Sequence, residues 1–82
     1  MPTVLRFAGL RVVIYPNDHR PAHVHVSSAG GEAVFILRCP GGPPALRESY
    51  GFNLPALGRI FDALTVHLAE LCKQWSNIHG RY

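Results

Sequence analysis

Three of the five histidines of this 82-residue chain, His19, His23 and His25, fall within seven positions. They occupy the segment Asn17-Asp18-His19-Arg20-Pro21-Ala22-His23-Val24-His25-Val26, and three chemistries fit them. The first is a metal site, in which two imidazoles from one strand face and a third from the approaching loop give nitrogens to Zn2+ and leave a position for water. The second is metal-free acid–base catalysis on a phosphodiester. One imidazole removes the ribose 2′-OH proton, another protonates the leaving oxygen, and an arginine stabilises the charge that builds on the phosphate. Histidine suits this work because its pKa lies near neutrality. The third is structural, with His23 or His25 donating to a backbone carbonyl and fixing the proline-bearing turn. All three stand at this point. The expectation carried forward is a metal-independent site of His19, His23 and His25, with no metal and no cofactor assigned.

Other residues fit supporting roles. Glu32 opens the strand after Gly30-Gly31 and can orient a histidine from the neighbouring strand. Arg6, Arg11 and Arg47 are candidate phosphate contacts, and Tyr15 can stack a base. His67 is expected at the rim of a helix, and His79 complements a helix C-terminus. Neither Cys39 nor Cys72 has an activating context. With no Cys-x-x-Cys motif, both are expected to remain reduced thiols, which suits a cytoplasmic protein.

These side chains need elements to hold them. Thr3 to Phe7 and Leu10 to Tyr15 are short apolar runs separated by Ala8-Gly9 and read as a hairpin that brings Arg6 and Arg11 to one face. Pro16-Asn17-Asp18 ends the second run, because these residues favour turns and proline cannot donate to a ladder. His23 to Ser27 reads as a third strand, in which positions 23 and 25 share a face by the period-two alternation. Glu32 to Arg38 reads as a fourth. Residues 39–52, with Cys39-Pro40-Gly41-Gly42-Pro43-Pro44 at their head, read as a loop.

From Asn53, a good N-cap, the spacing of Leu54, Leu57, Phe61, Leu64, Leu68, Leu71, Trp75 and Ile78 predicts a helix over about 54–78, stopped by Gly80. Such a helix would extend roughly 37 Å at about 1.5 Å per residue. Strands of this size cover only about 17–23 Å. Either the helix breaks near Thr65-Val66-His67, or Leu71, Trp75 and Ile78 meet a partner, whether another protein or a second copy of the chain. The resulting expectation is a single α+β domain over residues 1–82: a small, mainly antiparallel sheet of about four strands packed against one long C-terminal helix.

The net charge is +3 and seven of the eight basic residues are arginines. Arginine favours bidentate contact with carboxylate or phosphate. The arginines are scattered, so the charge permits RNA and fits an acidic protein partner equally well. No apolar run is long enough to span a membrane and no signal-peptide pattern opens the sequence.

The opening Met1-Pro2-Thr3-Val4-Leu5-Arg6-Phe7, the segment Asp18 to Val26, Gly31-Glu32-Ala33 and Glu48-Ser49-Tyr50-Gly51-Phe52 together resemble the bacterial domain-of-unknown-function family 4160. The resemblance runs over nearly the whole chain and is most specific at the His-x-Pro-x-His-x-His-Val core. It implies a toxin of a two-gene toxin–antitoxin module, acting on RNA or the ribosome. The implied partner is a cognate antitoxin of domain-of-unknown-function family 2442. Two positions depart from that pattern: Ala22 stands in place of a second proline, and Val34 in place of a lysine that follows Glu-Ala.

Overall fold

Ala8 and Gly9 both take positive φ (49° and 78°), the hairpin geometry that matches the twist of the flanking strands. They join β1 (Thr3–Phe7) to β2 (Leu10–Val13), and Arg6 lies opposite Arg11 as expected. The computed structural model describes residues 3–82; Met1 and Pro2, which open the motif of the family resemblance, lie outside the described residues. β3 (His23–Ser27) and β4 (Glu32–Ile36) follow, and then β5 (Ala45–Tyr50). Every strand pairs antiparallel with its sequence neighbour, in the order β1-β2-β3-β4-β5.

The expectation of four strands therefore falls short by one. β5 lies inside the stretch 39–52 that reads as a loop. Its ALRESY sequence leaves Leu46, Arg47, Glu48 and Tyr50 exposed, and a polar edge strand has no buried row to give it an apolar alternation.

The single long helix is also corrected. α1 (Leu54–Val66) and α2 (Leu68–His79) meet at His67, whose backbone (φ −100°, ψ 14°) leaves the helical region. Thr65 Oγ1 donates to the carbonyl of Phe61 (2.8 Å), the back-bonding that bends helices. With the break the longest extent of the fold is 33 Å, shorter than the roughly 37 Å rod that an unbroken helix would make.

With the turn in place the apolar stripe wraps the sheet. Ile60, Leu64, Leu68, Leu71, Cys72 and Trp75 pack against Val12, Ile14, Val24, Val26, Ala33, Phe35 and Leu37 as one core, with Leu57 and Ile78 at its margin. Leu71, Trp75 and Ile78 thus serve the chain's own core and do not form the expected partner surface. On α1 the inward positions are Leu57, Ile60 and Leu64, while Leu54 and Phe61 stay exposed.

The caps follow the sequence reading. Asn53 Oδ1 accepts from the Ala56 N–H (2.9 Å), and Gly80 closes α2 in the left-handed region. Asn53→Ala is expected to cost about 1 kcal/mol. Chemical denaturation followed by circular dichroism checks this; an unchanged midpoint would mean the cap contributes nothing.

The two cysteines are not free thiols. Cys39 and Cys72 form a disulfide that ties the proline-rich loop to α2, and no cysteine among the described residues is unpaired. Gly42 follows on that loop at φ 68°, where a Cβ would come within 2.5 Å of Leu68. The reduced-thiol expectation fails because residues 33 apart in sequence are folded together, and the compartment argument built on it falls with it. No helix among the described residues is long and apolar enough to cross a membrane.

Candidate functional site

Both helices pack on one face of the sheet. The other face carries the rows that concern function. Arg11, Ser27, Glu32 and Tyr50 lie side by side across four strands, and Val13, His25, Val34 and Glu48 form the next row. His23 opens β3 and pairs with Ile36. His23 and His25 therefore share a face, as the strand reading predicts.

The third member of the group is Asp18. The turn Tyr15-Pro16-Asn17-Asp18 is closed by Asp18 N–H donating to the Tyr15 carbonyl (3.0 Å), and Tyr15 N–H donates in return to Asp18 Oδ2 (3.0 Å). This double tie holds the carboxylate over the start of β3. Its oxygens stand 3.6 Å from His23 Nε2 and 3.3 Å from His25 Nε2. The three ligand-capable atoms lie within 4.8 Å of one another, the one such group of three among the described residues.

His23 is fixed most tightly. It is 6% exposed, and its Nδ1 donates to the Pro21 carbonyl at 2.8 Å. That bond selects the tautomer: in the neutral ring the proton sits on Nδ1, and Nε2 presents a bare lone pair to the carboxylate. Aromatic contacts hold the rest. Tyr15 lies edge-on to His25 (centroids 4.8 Å), His25 edge-on to His23 (5.2 Å), and His23 against Trp75 (5.3 Å). Trp75 in turn packs on His79 (4.1 Å), whose Nε2 donates back to the Tyr15 carbonyl (3.2 Å). The rings form a closed circuit from the turn, through β3 and α2, and back to the turn.

The other sequence candidates fall at varied distances from this group. His19 is exposed and outside it, but lines with Asp18, Arg20, His23 and Arg47 a depression beside it. Arg47 also lines the adjoining depression with His25, Glu32, Glu48 and Tyr50, so it stands between the two. Glu32 does not orient a histidine. It accepts a hydrogen bond from the Tyr50 hydroxyl, and that bond together with the carboxylate's own charge pushes the Tyr50 phenol above its usual range. Arg11 and Tyr15 border a further depression with Glu32 and Tyr50, whereas Arg6 lies with Arg11 at the β1–β2 turn. His67 is exposed at the helix junction.

Asp18 is the residue that sequence reasoning missed. It reads as a turn former, and that role hides its second one. The available signal was position: a carboxylate two turn residues past a strand end, five and seven residues before two histidines on one strand face. Chemically the group can accept a proton, hold a cation, or do one through the other.

The sequence profile described as "Domain of unknown function (DUF4160)" matches residues 9–76, more than half of the chain. The chain belongs to this family. No curated protein matches it, and no solved structure does. The DUF4160 match takes in Asp18, His23, His25, Arg47, Trp75 and both cysteines, and stops short of His79 and Gly80.

Proposed function

We propose that this chain is the toxin of a two-component toxin–antitoxin module, acting on RNA or the translation apparatus, with Asp18, His23 and His25 as its reactive centre. The observation that supports this most is their convergence to within 4.8 Å of one another, beside depressions bordered by Arg20 and Arg47. A polynucleotide needs such an arrangement: cations for the phosphate and a proton acceptor next to it.

The reaction that suits the group is transesterification of RNA. The 2′-oxygen bonds to the adjacent phosphorus as the bond from phosphorus to the 5′-oxygen breaks. The centre takes one proton from the 2′-oxygen and returns one to the departing 5′-oxygen, giving a 2′,3′-cyclic phosphate and a 5′-hydroxyl with no net water or proton consumed. Arg20 and Arg47 hold the phosphate, and the half-exposed edge of Tyr15 takes a base. The partner is a cognate antitoxin protein, of the kind grouped in domain-of-unknown-function family 2442.

Expression of the chain alone is expected to arrest growth, and co-expression of the neighbouring gene to relieve the arrest. His25→Ala and Asp18→Asn, each shown by circular dichroism to be folded, are expected to lose the arrest. Folded variants as toxic as the parent would remove the centre from the reaction. The alternative of a non-catalytic interaction module drew its support from the overhanging part of the stripe, and there Leu71 and Trp75 lie in the chain's own core with Ile78 against it.

A further inference from the structure

We infer that Asp18, His23 and His25 bind a single divalent first-row transition ion of the zinc class. The distances accommodate an ion, since His25 Nε2 and the Asp18 carboxylate make only a long hydrogen bond of 3.3 Å. Charge-assisted N–H···O bonds run to about 2.7–2.9 Å, whereas both Nε2 atoms stand 3.3 and 3.6 Å from the carboxylate oxygens. Ligands placed ~2.0–2.1 Å from a tetrahedral zinc lie ~3.3–3.4 Å from each other. Both Asp–His spacings match such a coordination edge, and the three ligand atoms together lie within 4.8 Å, so the two imidazoles would close by a small side-chain rotation on an ion.

The tautomer of His23 leads to the same place. With Nδ1–H committed to the Pro21 carbonyl, Nε2 and the Asp18 carboxylate face each other as two lone-pair donors. Positive charge between them resolves that opposition. Metal-bound histidines commonly donate their second ring nitrogen in this way, and ligating carboxylates are themselves hydrogen-bonded. Pro21 O supplies the first of these partners and the Tyr15 N–H the second. Two imidazole nitrogens with one carboxylate oxygen suit Zn2+ and its neighbours, not Mg2+ or Ca2+, which take oxygen ligands.

Three protein ligands would leave room for water on the ion, and two of them, Asp18 and His23, border the depression that Arg47 also lines. His19, the third nitrogen suggested by sequence spacing, is replaced by Asp18. If the proposed RNA reaction holds, an ion carried by Asp18, His23 and His25 would supply a proton acceptor beside the phosphate that Arg47 faces. The ion site itself rests on geometry and needs no RNA.

The test uses full-length protein purified without an affinity tag, stripped with chelator and titrated with Zn2+, Co2+ and Mg2+ in turn. One equivalent of Zn2+ per chain is expected, with Co2+ giving the intense visible absorption of a low-coordinate site and Mg2+ not competing. Asp18→Asn and His25→Ala are expected to weaken Zn2+ by more than the ~10–100-fold that loss of an outer partner costs; His19→Ala is expected to leave it unchanged. Thermal melts of the stripped variants confirm that each is folded. Absent stoichiometric binding, or equal affinity in the parent, Asp18→Asn and His25→Ala, would overturn the site. A stripped protein that still blocks translation in a cell extract treated with a zinc-selective chelator would likewise overturn its working role. Zinc bound at one equivalent by a protein that arrests nothing would sustain the site and sink the RNA reading alone.

Discussion

Trp75→Ala is expected to lower the folding free energy by about 3–5 kcal/mol, the range for deleting a large buried aromatic. The indole is fully buried and joins the two halves of the molecule. It packs into the α–β core, it lies against the rings of His23 and His79, and its Nε1–H donates to the Arg81 carbonyl at 2.8 Å. Small domains have only about 5–15 kcal/mol to lose, so the alanine variant should sit near its unfolding threshold. Trp75→Phe keeps a ring in place and loses mainly the hydrogen bond, worth about 1 kcal/mol. Urea titration followed by circular dichroism distinguishes the two, since fluorescence disappears with the tryptophan. An alanine variant as stable as the parent would show that the indole is replaceable by its neighbours. In the phenylalanine variant, loss of activity or of metal affinity with stability nearly intact would report on how firmly His23 is held.

Removal of the Cys39–Cys72 disulfide should have an effect of similar size. For a bridge spanning 33 positions, loop closure in the unfolded chain accounts for about 4 kcal/mol in the chain-entropy model. Urea midpoints of oxidised protein, protein kept in reductant, and a Cys39→Ala/Cys72→Ala double variant measure it. The reduced and double-variant proteins are expected to unfold together and well below the oxidised one. Coincident midpoints for all three would mean that the folded core holds the loop without the bond. The effect reaches function through β5. The disulfide anchors the loop that delivers Arg47, and Arg47 borders both depressions beside the histidines.

The first four strands were legible because each satisfies two rules at once. Val12, Val24, Val26 and Phe35 are β-branched or aromatic and fall on alternate positions, while Gly and Pro-Asn-Asp punctuate the runs between them. β5 satisfies neither rule. Its partner strand supplies the pairing and its own side chains remain in water, so the sequence carries only the signature of a loop. The helix break was visible as a length conflict, and Thr65-Val66-His67 was the right place for it. What sequence could not decide was which way the conflict would resolve, because a stripe that wraps its own sheet and one that meets a partner have the same period. The disulfide is a long-range event between residues with no local motif. At the site, the shared face of His23 and His25 follows from strand periodicity alone. Asp18 joins them only because the turn that it caps folds back over β3, and turn closure is a three-dimensional fact.

The ring circuit from Tyr15 through His25, His23, Trp75 and His79 also orders events in time. The five strands pair only with sequence neighbours, so they can assemble progressively as the chain emerges from the ribosome. The bond from His79 to the Tyr15 carbonyl spans 64 residues and must wait until α2 has been made. A nascent chain thus carries its histidines long before it carries the wall that fixes them. The order of assembly therefore finishes the centre last, after the sheet that carries it is already in place.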